Sequence, residues 1–347
     1  MRVLVTGHNG YVGTIMMPML IEAGHDVVGL DTNLYQGSSF GEEFSTGDFP
    51  EINKDVRDVE LSDVEGFEAV IHLAGLSNDP LGDLNPDLTY EINYLASVRL
   101  AEMAKSVGVK RFIFSSSCSN YGAGGEDWLN EESTFNPVTP YGRSKVSVEQ
   151  DVTNLADENF SPTFLRSSTA YGVSPRLRFD LVLNNLVAWA FTTGRVYLKS
   201  DGTPWRPIVH VEDMSRAFLA TLGAPRSLVH NEAFNVGRPE ENYRISELAE
   251  IVAETVPGSR IEYAEGAGPD KRCYRVDSSK IAQTLPAYDP QWDARRGAQE
   301  LYEAYQNVGL CLEDFEGPRY RRIHHIKQLI SLGSLDETLR WRQMESV

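Results

Sequence analysis

The chain has 347 residues, with 32 Lys and Arg against 50 Asp and Glu, a formal net charge of −18 at pH 7. That balance excludes a general nucleic-acid binder, because affinity for phosphate backbones rests on clustered cations. With 41% apolar and 24% charged residues and no transmembrane-length apolar run, the chain reads as globular, with one large domain or two lobes and no membrane partner.

Residues 2–6 read as a strand, 11–23 as a helix and 26–30 as a second strand, followed by a Gly/Ser-rich loop over 36–50. Further strands are expected at 69–73, 111–115 and 162–166, with helices near 88–106 and 141–157. Short apolar strands alternating with amphipathic helices predict a parallel sheet covered on both faces. Beyond Tyr171 the alternation breaks up under Pro and Gly punctuation, which indicates a smaller mixed lobe. Residues 211–222 read as a helix that returns to the sheet. From Gly309 the tail carries Arg319, Arg321, Arg322, His324, His325 and Lys327 ahead of an apolar helical stretch over 326–332. This cluster reads as a solvated helix face, the other reading being a lid or an oligomer contact. No signal-peptide core opens the sequence. Cys118, Cys273 and Cys311 show no metal-type spacing, so a reducing cytosol and no metal are expected.

Thr6-Gly7-His8-Asn9-Gly10-Tyr11-Val12-Gly13 places glycines three apart between a strand and a helix. In a Rossmann-type turn the first glycine permits the tight bend, the second lets backbone approach a pyrophosphate, and the third allows close helix packing. The helix N-terminus then offers free N–H groups and a positive dipole end to phosphates. Asp31 closes the second strand, where a carboxylate binds the adenosine ribose hydroxyls and repels a 2′-phosphate, so NAD is expected rather than NADP. Lys54 and Arg57 offer the competing route to NADP.

Tyr141-Gly142-Arg143-Ser144-Lys145 follows Pro140 at a helix start, and an i, i+4 spacing puts Tyr141 and Lys145 on one face. A phenol with a pKa near ~10 is a poor base at neutral pH, but a neighbouring ammonium favours the phenolate. The pair is therefore suited to accept a hydroxyl proton while hydride leaves for NAD. Residues 115–117, three serines ending a buried strand, fall where an open α/β sheet presents its ligand crevice. A serine there is placed to hydrogen-bond both a substrate hydroxyl and the tyrosine.

With these motifs the sequence resembles the extended short-chain dehydrogenases/reductases, specifically the NAD-dependent epimerase/dehydratase group acting on nucleotide sugars, and within it the UDP-glucose 4-epimerase branch. The resemblance runs from Arg2 to about Asp277. It is carried by TGHNGYVG, Asp31, DVRD at 55–58, HLAG at 72–75, SSSCSNYG, YGRSK, RPIVHVED at 206–213 and FNVG at 234–237. It implies Ser117, Tyr141 and Lys145 as the catalytic set. It implies cofactor contacts from Gly7, Asn9, Gly10, Tyr11, Val12, Gly13, Asp31, Asp55, Val56, Leu73, Ala74, Gly75 and Ser115, with Asn93 supporting the site. On the substrate side it implies Ser77, Cys118, Ser119, Thr169, Asn185, Leu186, Arg206 and Asp270, and it suggests a homodimer.

The expected fold is a Rossmann-type doubly wound parallel sheet with a smaller mixed α/β substrate lobe. Residues 1–170, joined again by 207–237, form the NAD-binding part. The nucleotide-sugar lobe takes 171–206 and 238–308, and 309–347 is a helical extension. Four positions depart from the family pattern. Dehydratases carry Asp-Glu where this chain has Cys118-Ser119. The second phosphate arginine of the epimerases is Ala267, with Arg272 the substitute expected from the same loop. Thr169 stands for an asparagine. The leading expectation is epimerisation at C4 through a 4-keto sugar. The alternatives are a dehydratase, an NAD-linked oxidoreductase, or a non-catalytic NAD-binding protein.

Overall fold

The computed structural model describes residues 1–41, 48–77, 85–268 and 272–342. Its central sheet has seven parallel strands in the order Glu232–Val236, Ser161–Ser167, Arg111–Ser117, Ala69–His72, Arg2–Thr6, Asp26–Asp31 and Glu51–Asn53. The period-two alternation of each strand sorts its side chains to opposite faces. Leu4, Val28, Val70, Phe112 and Phe164 join the core under the helices Ala96–Ser106 and Pro140–Thr153. Val3, Val5, Ile71, Ile113 and Leu165 join the opposite core, under Gly13–Glu22 and Val211–Gly223. This is the doubly wound arrangement expected from the sequence.

Three local differences have physical causes. The first helix starts at Gly13, leaving Tyr11 and Val12 in the turn. The helix expected near 88–106 is three pieces, Pro86–Tyr90, a π-turn at Glu91–Leu95, and Ala96–Ser106; apolar periodicity does not register one extra residue per turn. Glu51–Asn53 is a strand that the sequence pattern concealed, since an edge strand of three residues with one apolar side chain shows no alternation.

Outside this sheet, Trp205–His210 lies between Thr169–Tyr171 and Asn242–Arg244, and Arg195–Ser200 pairs with Arg260–Gly268. The helices Val182–Thr193, Ile245–Thr255 and Ala294–Val308 supply a separate core there. The extension beyond Gly309 bridges the two bodies. Phe315 and Tyr320 enter the core of the smaller lobe, whereas Ile326, Leu335 and Leu339 enter the core that contains Leu30, Leu34 and Val56. Its helix Arg322–Ser331 starts inside the basic cluster. Only part of that cluster is therefore solvated: His324 and Lys327 are exposed, while Arg321, Arg322 and His325 are half-buried. Among the described residues no helix is long and apolar enough to cross a membrane.

Candidate active site

A cleft of about 900 Å³ runs along the C-terminal ends of the central strands and continues between the sheet and the smaller lobe. At one end the glycine turn forms its floor. Gly7 has φ +76°, and a Cβ there would stand 2.6 Å from the Ala74 nitrogen, so the bend and the approach to the neighbouring strand both require glycine. Gly10 lines the cleft; apart from the Gly7 oxygen at 3.2 Å, a Cβ on it would meet no heavy atom within contact range. Gly13 serves a different contact from the one expected. Its missing Cβ makes room for the His8 backbone of the same turn, 2.3 Å away, and not for a strand. Asn9, Tyr11 and Val12 also line this end, and the Tyr11 hydroxyl donates to the Gly172 carbonyl at 2.8 Å.

Asp31 accepts from the Asn33 N–H at 2.8 Å and the Asn9 N–H at 3.1 Å, which ties the strand end to the glycine turn. Burial pushes its pKa up against the pull of these N–H groups and of the charges of His8 and Arg322. Next to it, Asp55 and Val56 line the cleft. Asp55 is gripped by Arg57, which donates from Nε at 3.0 Å and Nη2 at 2.7 Å. Burial opposes ionisation of Asp55, but the Arg57 hydrogen bonds hold its carboxyl below the usual range. Lys54 donates to Asp63 at 2.6 Å. Both cations that offered a route to NADP are thus committed to carboxylates. Across the floor lie Leu73, Ala74, Gly75, Ser77 and Ser115.

Asn93 stands behind this wall. It is 1% exposed and absent from the cleft surface. From the π-turn its amide accepts from the Leu76 N–H at 2.7 Å and donates to the Leu76 carbonyl at 2.9 Å. From behind the wall it shapes the turn after Gly75.

In the middle of the cleft Ser115, Ser117, Ser119, Tyr141 and Lys145 face the same space. Thr139 caps the helix Pro140–Thr153, its hydroxyl accepting from the Gly142 N–H at 3.1 Å; this fixes the first turn, which carries Tyr141. One turn on, Lys145 is 4% exposed. Its Nζ donates to the Ser115 carbonyl at 2.7 Å and lies 5.6 Å from the centre of the Tyr141 ring. Burial pushes the ammonium down to about 7, partly offset by the charge of Glu149. The Ser117 hydroxyl accepts from the Ser119 N–H at 3.1 Å and is the same distance from the Ser119 hydroxyl.

A buried ionic network sits beneath these serines. Arg166 donates to Glu149 from Nε at 3.1 Å and Nη2 at 2.7 Å, and from Nη1 to the Tyr121 hydroxyl at 3.1 Å. Glu149 also accepts from Ser116 and from the Asn120 amide. Cys118 belongs to this underside. It is fully buried, its thiol is 3.1 Å from the Arg166 carbonyl, and burial pushes its pKa up. Cys118 is therefore corrected from a substrate contact to a packing residue, because the 3-10 turn Cys118–Asn120 aims its side chain inward.

The far end of the cleft brings together Thr169, Asn185, Leu186, Arg206 and Arg272. Asn185 donates to the Phe179 carbonyl at 2.8 Å, and the Arg206 guanidinium lies 5.5 Å from the Tyr274 ring centre. Asp270 lies outside the described residues. Sequence reasoning missed Arg178, Asp180, Tyr197, Lys199, Tyr274 and Arg322 among the lining residues. The alternating charges of Arg176, Arg178 and Asp180 were a usable signal, obscured by the proline punctuation around them.

The model of the family described as "NAD dependent epimerase/dehydratase family" matches residues 3–237. The UDP-glucose 4-epimerase of Bacillus subtilis (strain 168) is 28% identical over 329 residues, covering 87% of this chain and 94% of that protein. The structure of MoeE5 in complex with UDP-glucuronic acid and NAD superposes with a TM-score of 0.76 at 27% identity, covering 88% of this chain and 99% of that one. An NAD dependent NDP-hexosamine 5,6-dehydratase, TunA, shares the fold, with a TM-score of 0.77 at 22% identity over 88% of this chain and 98% of its own.

Proposed function

The chain belongs to the NAD dependent epimerase/dehydratase family, and from that premise we propose that it is a nucleotide-sugar epimerase acting at C4, with UDP-hexoses the first substrates to test. One observation carries the reading beyond the family. Tyr141 and Lys145 face the cleft from one helix turn, beside Ser117, while the next two positions offer no acid–base pair. Cys118 is buried with a raised pKa and Ser119 is a neutral hydroxyl, which leaves water elimination without an acid of its own.

The glycine turn and the Gly10 opening suit a dinucleotide pyrophosphate, and Asp31 suits a ribose diol. NAD, when bound, accepts a hydride from the sugar and returns it. Ser117 hydrogen-bonds the reacting hydroxyl, Tyr141 takes its proton, and Lys145 lowers the cost of the phenolate through its charge. Tyr141 later returns the proton to the 4-keto sugar from the same position, so inversion requires the sugar to present its other face. Arg206 and Arg272 hold the diphosphate and Asn185 meets the nucleotide.

Residues 1–170 with 207–237 form the cofactor part of this reading, and 171–206 with 238–308 the sugar part. The family resemblance supports a homodimer, which light scattering checks. Three free cysteines fit a cytosolic location. The test of function is incubation with UDP-glucose and related sugars, followed by NMR of the sugar and absorbance at the NADH wavelength. Interconversion of C4 epimers without net NADH is expected, and is lost in Tyr141→Phe. Steady release of NADH or of a keto-sugar would overturn the epimerase reading.

A further inference from the structure

The extension beyond Gly309 is built onto the nucleotide end of the cleft. Three polar contacts pin it to the segment following the second strand, and a fourth to the turn after Glu51–Asn53. The Trp341 indole donates to the Thr32 carbonyl at 2.6 Å, and the His325 ring is 3.0 Å from the Leu34 carbonyl. Arg319 donates to the Ser39 carbonyl at 3.2 Å, and Arg340 pairs with Asp58. Beneath these, Ile326, Leu335 and Leu339 are buried against the strand-side core. The extension is thus a fixed wall, and Tyr320 to Ile323 line the same cleft as the glycine turn.

One side chain on that wall is not satisfied by protein. Arg322 stacks over Tyr35, its guanidinium carbon 4.3 Å from the ring centre. Its Nη2 is buried and has no hydrogen-bond partner among the described residues. Burial and the like charge of Arg178 oppose its protonation, while Asp180 and Asp31 favour it. Arg178 is already paired with Asp180, so the unused donor of Arg322, facing the cleft, is the group that an anion completes. Asp31 and Arg178, which donates to the Ser77 carbonyl at 2.9 Å, line the same cleft. A dinucleotide with its ribose on Asp31 and its pyrophosphate on the glycine turn lies in the same cleft that Arg322 lines.

We propose that the extension is an in-chain latch on the bound dinucleotide, and that Arg322 is its anion-binding residue, donating to the pyrophosphate. This rests on the reading of the cleft as an NAD site. The latch suits a reaction in which the cofactor is regenerated in every turnover and need not leave.

The test measures affinity and dissociation, separately from turnover. Arg322→Met keeps an unbranched apolar side chain and removes the donor; Arg322→Lys keeps a charge and loses the planar fork. Titration of nucleotide-free wild type and variants with NAD, ADP-ribose, AMP and NADP is followed by calorimetry, with the unliganded melting curve as the folding control. For Arg322→Met the dissociation constants of NAD and ADP-ribose should rise roughly ten- to hundredfold, the scale of one charge-assisted hydrogen bond. Arg322→Lys should lie between it and wild type. AMP, whose phosphate is a single group at the adenosine end, should weaken less than ADP-ribose. NAD should dissociate correspondingly faster from Arg322→Met.

Unchanged NAD affinity in a variant that melts like wild type would overturn the latch alone. So would an effect confined to NADP, which would place Arg322 at the 2′ position. Wild type that binds none of the four nucleotides would instead remove the cofactor reading on which the latch stands.

Discussion

Lys145 holds the Ser115 carbonyl at 2.7 Å, so one charged side chain ties the helix that carries Tyr141 to the strand that ends in Ser117. The hydrogen bond fixes the ammonium, and burial destabilises its charge, pushing it down to about 7. A folded-state pKa below the unfolded value near ~10.4 means that the folded chain binds fewer protons between those limits. Stability from this residue is therefore lowest at and below about pH 7 and rises with pH through the window above it. Urea unfolding of nucleotide-free wild type and Lys145→Met at pH 7 and pH 9 tests this. The wild type should gain more stability than the variant over that interval. Parallel changes in both would show that the lysine is not the group responsible.

Glu149 and Arg166 are expected to be inseparable. Both are buried, and Arg166 donates three hydrogen bonds from two nitrogens to the Glu149 carboxylate. Removing one partner leaves an unpaired buried charge, at a cost of about 3–5 kcal/mol. Arg166→Met and Glu149→Leu should each lower the unfolding free energy on that scale, and the double variant should lose less than the sum. Additive losses would mean the two charges act independently.

Asp31 is expected to select the cofactor. Asp31→Ser removes the charge that disfavours a 2′-phosphate and keeps a hydroxyl acceptor for the neighbouring N–H groups. The NADP-to-NAD affinity ratio should rise by roughly tenfold or more, since one lost repulsion is worth over ~1 kcal/mol. Fluorescence titration with NADH and NADPH measures it, and a constant ratio would assign the selection elsewhere. Stability should fall by about 1 kcal/mol for the weakened hydrogen bonds.

Cys118 is expected to be chemically silent in the folded protein. Its thiol is enclosed and its pKa raised, whereas Cys311 is exposed. Iodoacetamide should label Cys311 in the native state and Cys118 only after denaturation. Cys118→Ala should keep turnover within a few-fold of wild type. Rapid native labelling of Cys118 would contradict the inward orientation of its turn.

How much of this was legible in the sequence depends on the range of the interaction. The glycine turn, Asp31 and the Tyr141/Lys145 pair announce themselves because strand, turn and helix periods put them in place locally, and the sheet followed from apolar alternation. The cores stayed close to the pattern for the same reason, with Leu4 and Val5 on opposite faces. The orientation of Cys118 was not legible: one 3-10 turn decides whether its side chain faces the cleft or Arg166. Nor was the way Asn93 supports the site, since a π-turn carries it to the Leu76 backbone. Arg322 was legible only as a member of the basic cluster, with a lid as one reading. Its neighbours Tyr35 and Asp31 are nearly three hundred residues earlier, roughly, in the sequence, and no local period connects them.

That separation has a consequence for synthesis. Leu30, Leu34 and Val56 share their buried surface with Ile326, Leu335 and Leu339. At translation rates of about 5–20 residues per second, the early segment waits on the order of tens of seconds for the late one. During that interval the nascent chain has an unfinished apolar flank beside its second strand. A chaperone that recognises short apolar segments would find its binding site there, and would be displaced when residues 322–339 arrive to cover it.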